Sequence, residues 1–214
     1  MLQTAYLITL ALLLLLMGWR FGAINRQLSL WLPVYVAIVL AVELLALYVA
    51  GVLKTSNHWV HNCGMPLYIT AVVLFYIRVL PRLRKRGVVL LVIYLLFAGL
   101  NLGFFQGWQL FNTYSVMVAS VVVLVLTGSY FVSLMRVHDD APLLREPLFW
   151  ISAGFLFFYL CNVFAAGTIL YFIKTNPDFA SLEIKIIQFL NISLLLCLFI
   201  GIQCLKPQQN SAAK

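Results

Sequence analysis

Long apolar runs separated by short polar connections recur along the whole chain. Seven runs can be drawn, over 2–19, 29–53, 61–80, 87–105, 113–135, 147–172 and 183–205, most of them about 20 residues long. At 1.5 Å per residue, about 20 apolar residues cross a ~30 Å hydrocarbon core. A helix satisfies its backbone donors within its own segment, as lipid requires, and the alternation of a β-barrel strand is missing. The pattern predicts an all-α membrane protein: a single seven-transmembrane-helix bundle over 1–205, then a short cytoplasmic tail over 206–214. No basic segment precedes the first run and no A-x-A motif follows it, so it reads as a retained span rather than a signal peptide. Pro33, Pro66 and Pro147 fall near the starts of runs two, three and six, where a missing N–H costs least.

Composition agrees. Of 214 residues, 64% are hydrophobic and 9% charged, whereas a soluble domain carries roughly a quarter charged. A net charge of +8 does not point to nucleic acid, because the basic residues lie in the connections, where they set orientation. Of the 14 Lys and Arg, Lys54, Lys174 and Lys185 fall on one side. The remaining eleven fall on the other: Arg20, Arg26, Arg78, Arg82, Arg84, Lys85, Arg86, Arg136, Arg145, Lys206 and Lys214. The positive-inside rule then puts the N-terminus outside and the C-terminus in the cytoplasm. Trp19, Trp31, Trp59, Trp108 and Trp150 sit near span ends, as an interfacial belt requires. The basic block Arg82–Arg86 reads as topogenic, with anionic headgroups as a secondary contact. Asp139, Asp140, Arg145 and Glu146 read as a solvated loop.

Polar residues inside the runs change the picture from scaffold to site. Glu43 is the one carboxylate with a long apolar run on both sides. A charge at mid-bilayer costs at least ~2.5–3.5 kcal/mol, so it should face protein or water. Its helical face includes Ala46 and Ala50, small enough to admit a neighbour. Helical spacing places Ser152, Phe155, Tyr159, Asn162 and Ala166 on one stripe of span six, and Tyr94, Ala98, Asn101 and Phe105 on one of span four. His61, Met65 and Tyr68 align on span three, Gln188 and Asn191 on span seven, and Met117, Ser120 and Thr127 on span five. The candidate ligand-binding residues are Glu43, His61, Tyr68, Asn101, Tyr159, Asn162, Gln188 and Asn191, lining one cavity that opens outward. The alternative is a set of ordinary interhelical hydrogen bonds, worth about 0.6 kcal/mol each. Spans two and six share an opening proline, a central polar residue and a later glycine (Gly51, Gly167), the outline of a parallel repeat.

Catalytic and metal patterns are sparse. His58 and His61 stand three apart, but no Cys, Asp or Glu lies beside them to complete a metal site. The four cysteines lack CxxC and zinc spacings, and no G-x-S-x-G is present. The centre of the last run, Leu194-Leu195-Leu196, holds no lysine for a retinal Schiff base. No cofactor is expected.

Glu43 in span two, the Asn57-His58-Trp59…Asn62…Pro66 opening of span three and Pro147-Leu148-Phe149-Trp150…Tyr159…Asn162 in span six resemble a group of small, uncharacterised bacterial seven-span membrane proteins. Their genes are often found beside those of two-component sensor kinases. The resemblance implies a sensory or accessory role in the bacterial inner membrane, beside a membrane-bound partner such as a sensor kinase. It supplies no catalytic residues. The sugar-exporting PQ-loop pattern is absent from the spans, since Pro207-Gln208 lies in the tail. Three functions follow as expectations: a receptor-like protein with a pocket around Glu43, a small-solute or proton-coupled transporter with Glu43 as the protonatable group, and an intramembrane lipid enzyme using Glu43 with His61.

Overall fold

The computed structural model describes residues 2–136 and 142–206; Asp139 and Asp140, and the tail from residue 207, lie outside the described residues. The helices are α1 (Leu2–Trp19), α2 (Phe21–Gln27), α3 (Trp31–Gly51), α4 (His58–Val79), α5 (Arg84–Leu100), α6 (Thr113–Arg136), α7 (Pro147–Thr175) and α8 (Pro177–Gln203). Tight 3₁₀ turns at Pro81–Leu83 and Leu143–Arg145 lead into α5 and α7, and a π-turn, Asn101–Phe105, closes α5. No strand occurs among the described residues. All but α2 are long and apolar enough to cross a membrane, α5 together with its flanking turns. The chain is a multi-pass helical bundle of the membrane type.

Packing runs α1–α3–α4–α6–α7–α8 and returns to α1, so six of the long helices close a ring. Helix α5 sits outside it against α4 and α6 and turns Val88, Val92, Ile93 and Leu96 outward. Two glycines set the closest approaches. A Cβ on Gly64 of α4 would overlap Val42 of α3, and one on Gly154 of α7 would lie 2.6 Å from Cys197 Cβ of α8. Small residues of this kind let membrane helices meet backbone to backbone. Ala46 packs with Val49 and Val60, whereas Ala50 is exposed, so only the first of the two alanines serves the α3–α4 seam.

The ends of α1 and α8 are clasped together. Arg20 Nη1 donates to the Ile202 carbonyl at 3.1 Å and the Leu205 carbonyl at 3.4 Å. Gln27 donates to the Lys206 carbonyl (3.0 Å) and accepts from its amide (3.2 Å). The guanidinium thus reaches one carbonyl in the last turn of α8 and one just past it, acceptors of the kind that basic side chains meet at helix C-termini. The C-terminal ends of α1 and α8 therefore share one end of the bundle.

Three connections differ from the sequence expectation. The segment 173–182, expected as a loop, is helical except for Asn176: α7 runs to Thr175 and α8 starts at Pro177. Asn176 Oδ1 accepts from Phe179 N at 3.2 Å, and Phe172 stacks on Phe179 at 4.2 Å. An Asn N-cap followed by Pro at N1 starts a new helix without a spacer. The basic block is not a loop either; Arg84–Arg86 form the first turn of α5. The stretch holding Arg26, expected as connection, contains the short helix α2.

Candidate ligand-binding cavity

A cavity of about 610 Å³ lies inside the ring. Helix α3 presents Tyr35, Val39, Val42 and Glu43 to it, one face of the helix at i, i+4, i+7 and i+8. Tyr6 and Gln3 reach in from α1, and His61, Met65 and Tyr68 from α4. The far wall is Phe158, Tyr159 and Asn162 of α7 with Gln188 and Asn191 of α8; Val116 and Ala119 of α6 complete it. Asn57, His58, Phe111 and Thr113 line the end nearest the α1 N-terminus. Helix α5 contributes nothing.

The opposite half of the bundle is filled. Tyr35 and Phe155 meet edge to face at 5.4 Å, and Phe155 meets Tyr76 at 6.3 Å. The Tyr76 hydroxyl and Ser152 Oγ are hydrogen-bonded at 3.0 Å, tying α4 to α7. Leu10, Leu13, Leu32, Val72, Ile151 and Leu198 are buried beyond this layer. The cavity thus occupies one half of the bundle and rests on an aromatic floor.

Glu43 is half-buried on the cavity wall. Among the described residues its carboxylate has no hydrogen bond or ion pair, and it lies within electrostatic range of Tyr6 and Tyr68. Tyr35, Tyr68 and Tyr159 cluster with Tyr6, and none of these four hydroxyls takes a hydrogen-bond partner among the described residues. Asn191 is turned partly back on its own helix, Nδ2 donating to the Ile187 carbonyl at 3.1 Å. The side-chain amides of Asn162 and Gln188 carry no hydrogen bond among the described residues. Most polar groups around the cavity are therefore uncommitted among the described residues, as are the buried Tyr94 and Tyr130 hydroxyls away from it, whereas Tyr76, Ser120 and Thr127 are bonded.

The end of the cavity lined by Phe111 and Thr113 is bordered by a polar knot. Asn62, 2% exposed, donates to the Leu110 carbonyl at 2.9 Å and accepts from Asn112 N at 3.1 Å. Asn101 donates to Gln106 Oε1 (3.0 Å) and Ser115 Oγ (2.9 Å), and Gln106 donates to Thr113 Oγ1 (2.9 Å). The knot holds the connection between α5 and α6 so that Phe111 lies against His58 and His61, ring centres 6.4 and 6.3 Å away. No third His, Cys, Asp or Glu joins these histidines in a metal-sized group among the described residues.

Of the eight candidate residues, Glu43, His61, Tyr68, Tyr159, Asn162, Gln188 and Asn191 come together on the cavity wall. Asn101 does not. It is 0% exposed, and its amide N–H groups are consumed by the knot beside the π-turn. That turn also breaks the expected span-four stripe: Tyr94, Ala98 and Asn101 are buried, but Phe105 is 71% exposed, because i→i+5 bonding shifts the register past Asn101. Glu43 and His61 share the cavity without a hydrogen bond between them. Sequence reasoning passed over Gln3, Tyr6, Tyr35 and Phe111. Tyr35 had a signal, two turns before Glu43 on the same face; Phe111, in a connection, had none.

No family model matches this chain, and neither a curated protein nor a solved structure is significantly similar to it.

Proposed function

We propose that this is a receptor-like or sensory membrane protein that binds a small or lipophilic ligand in the cavity around Glu43 and signals through a separate membrane partner. One observation carries the reading: a carboxylate without a partner among the described residues lines a roomy cavity beside uncommitted hydroxyls and amides. Interhelical glue would have paired these groups with one another. The cavity also falls within the ~300–1,000 Å³ range of small-molecule sites. The described residues form helices and short connections, which favours an output residing in another protein, such as a sensor kinase.

The lysine and arginine distribution puts the cavity mouth outside and the clasped ends of α1 and α8 in the cytoplasm, in a bacterial inner membrane by the resemblance noted above. An outward mouth over a packed floor suits reception. Transport needs a second opening, and the aromatic layer from Tyr35 to Tyr76 occupies that path. The test is a thermal-shift screen of lipophilic small molecules on purified protein in non-ionic micelles. Ligands that stabilise the wild type should lose the effect in Glu43→Gln and Asn162→Leu. Equal stabilisation of wild type and both variants refutes the site, and Glu43-dependent flux of the same ligands in liposomes would favour transport.

A further inference from the structure

The chemistry of the walls narrows the ligand, granted that the cavity binds one. We infer that its ligand is an amphipathic organic cation, with an onium head held against Glu43 beside the rings of Tyr6 and Tyr68 and an apolar body along Val39, Val42, Ile69 and Phe158.

Charge decides first. Among the described residues, Glu43 is the only Asp or Glu on the lining, and no Lys or Arg lines it. An anion would meet a carboxylate with no basic group to offset the repulsion. A neutral ligand would displace water from that carboxylate and either leave it unpaired or drive it to take up a proton, both at a cost in a low-dielectric site. A cation supplies the missing counter-charge.

Shape and lining decide between kinds of cation. A bare metal ion needs several closely placed hard or imidazole ligands, and no such group is found among the described residues. At about 610 Å³ the cavity is also far larger than an ion. The rings of Tyr6 and Tyr68 near one carboxylate suit a diffuse organic charge, because the negative ring faces attract it without stripping a tight hydration shell. The hydroxyls of Tyr6 and Tyr68, near Glu43, add oxygen lone pairs of the same sign. The aliphatic surface of Val39, Val42 and Ile69 offers an ammonium group nothing and a hydrocarbon body a dry contact.

The test compares two probes of one shape, benzyltrimethylammonium and its neutral carbon isostere neopentylbenzene, by calorimetry on the full chain in non-ionic micelles. Empty micelles serve as the blank. The cation should bind the wild type at least tenfold more tightly than the isostere. Glu43→Gln should weaken the cation at least tenfold and leave the isostere within twofold. Tyr68→Leu should weaken the cation severalfold, and Tyr68→Phe, which keeps the ring, should retain it. The wild-type ratio and the Tyr68 pair decide the question even if Glu43→Gln fails to fold. Equal affinity for both probes, with both lost on filling the cavity by Asn162→Trp, overturns the cation assignment while the cavity stands as a ligand site. Binding of neither probe, or binding indifferent to Asn162→Trp, overturns both readings.

Discussion

Replacing Asn62 with Leu should loosen the knotted end of the cavity, and the size of the effect can be worked from its bonds. The side chain sits at 2% exposure and makes two good hydrogen bonds, 2.9 Å to the Leu110 carbonyl and 3.1 Å from Asn112 N; a third, to the Trp108 carbonyl at 3.5 Å, is at the limit of contact. The two losses differ. Leu110 lies in an exposed connection, itself 58% exposed, so this loss is counted at the net value of one bond, about 0.5–1.5 kcal/mol. Asn112 is 1% exposed, so its amide is left buried and unpaired at about 1–3 kcal/mol. Together these give about 2–4 kcal/mol, well above the ~0.6 kcal/mol of an average side-chain hydrogen bond between membrane helices. The larger figure applies because the orphaned group is backbone and cannot rotate to another partner. Equilibrium unfolding in mixed micelles measures the loss, and hydrogen exchange at Asn112 localises it: slow in the wild type, fast in the variant. A loss below about 1 kcal/mol, or an Asn112 amide that stays protected, refutes the reasoning. Phe111 should swing away from His58 and His61 in the same variant, and cavity ligands should dissociate faster.

Three further predictions test the scaffold. Gly154→Leu should destabilise by about 1–3 kcal/mol, since even a Cβ meets Cys197 at 2.6 Å, while Gly99→Ala, with open space around it, should be neutral or stabilising in the same unfolding assay. Lys54 adopts φ 52° in the turn just past the Val52 C-cap of α3, where Thr55 N is bonded to the Val49 carbonyl at 3.3 Å, a left-handed position that favours glycine. Lys54→Gly should therefore raise stability by up to about 1 kcal/mol, and an unchanged or lower unfolding midpoint would count against this reading. In a cysteine-free background, Ser56→Cys should react with an impermeant maleimide on intact cells and Arg84→Cys only after lysis; the reverse pattern would overturn the orientation.

The residues themselves explain how much was legible. Span lengths and identities were written in the apolar runs, since a bilayer imposes one length and one backbone solution on every segment. The stripe from Ser152 to Ala166 was equally readable, because a regular helix carries its period unchanged. Where regularity failed, the reading failed with it. Five residues of π-turn moved Phe105 outward and drew Asn101 into a loop-fixing knot, and a single Asn-Pro step replaced an expected loop.

What the sequence by itself determined is the helical membrane bundle and the misfit of Glu43 within it, because hydrophobic length and the cost of a buried charge are properties of single segments. Only the tertiary structure decided that Tyr6 and Tyr68 come near that carboxylate, that Asn101 lies elsewhere, and that one half of the ring is hollow while the other is filled. Those outcomes depend on which helices touch and at what rotation. Gly64 against Val42 and Gly154 against Cys197 fix these jointly, through shape complementarity between segments far apart in the chain.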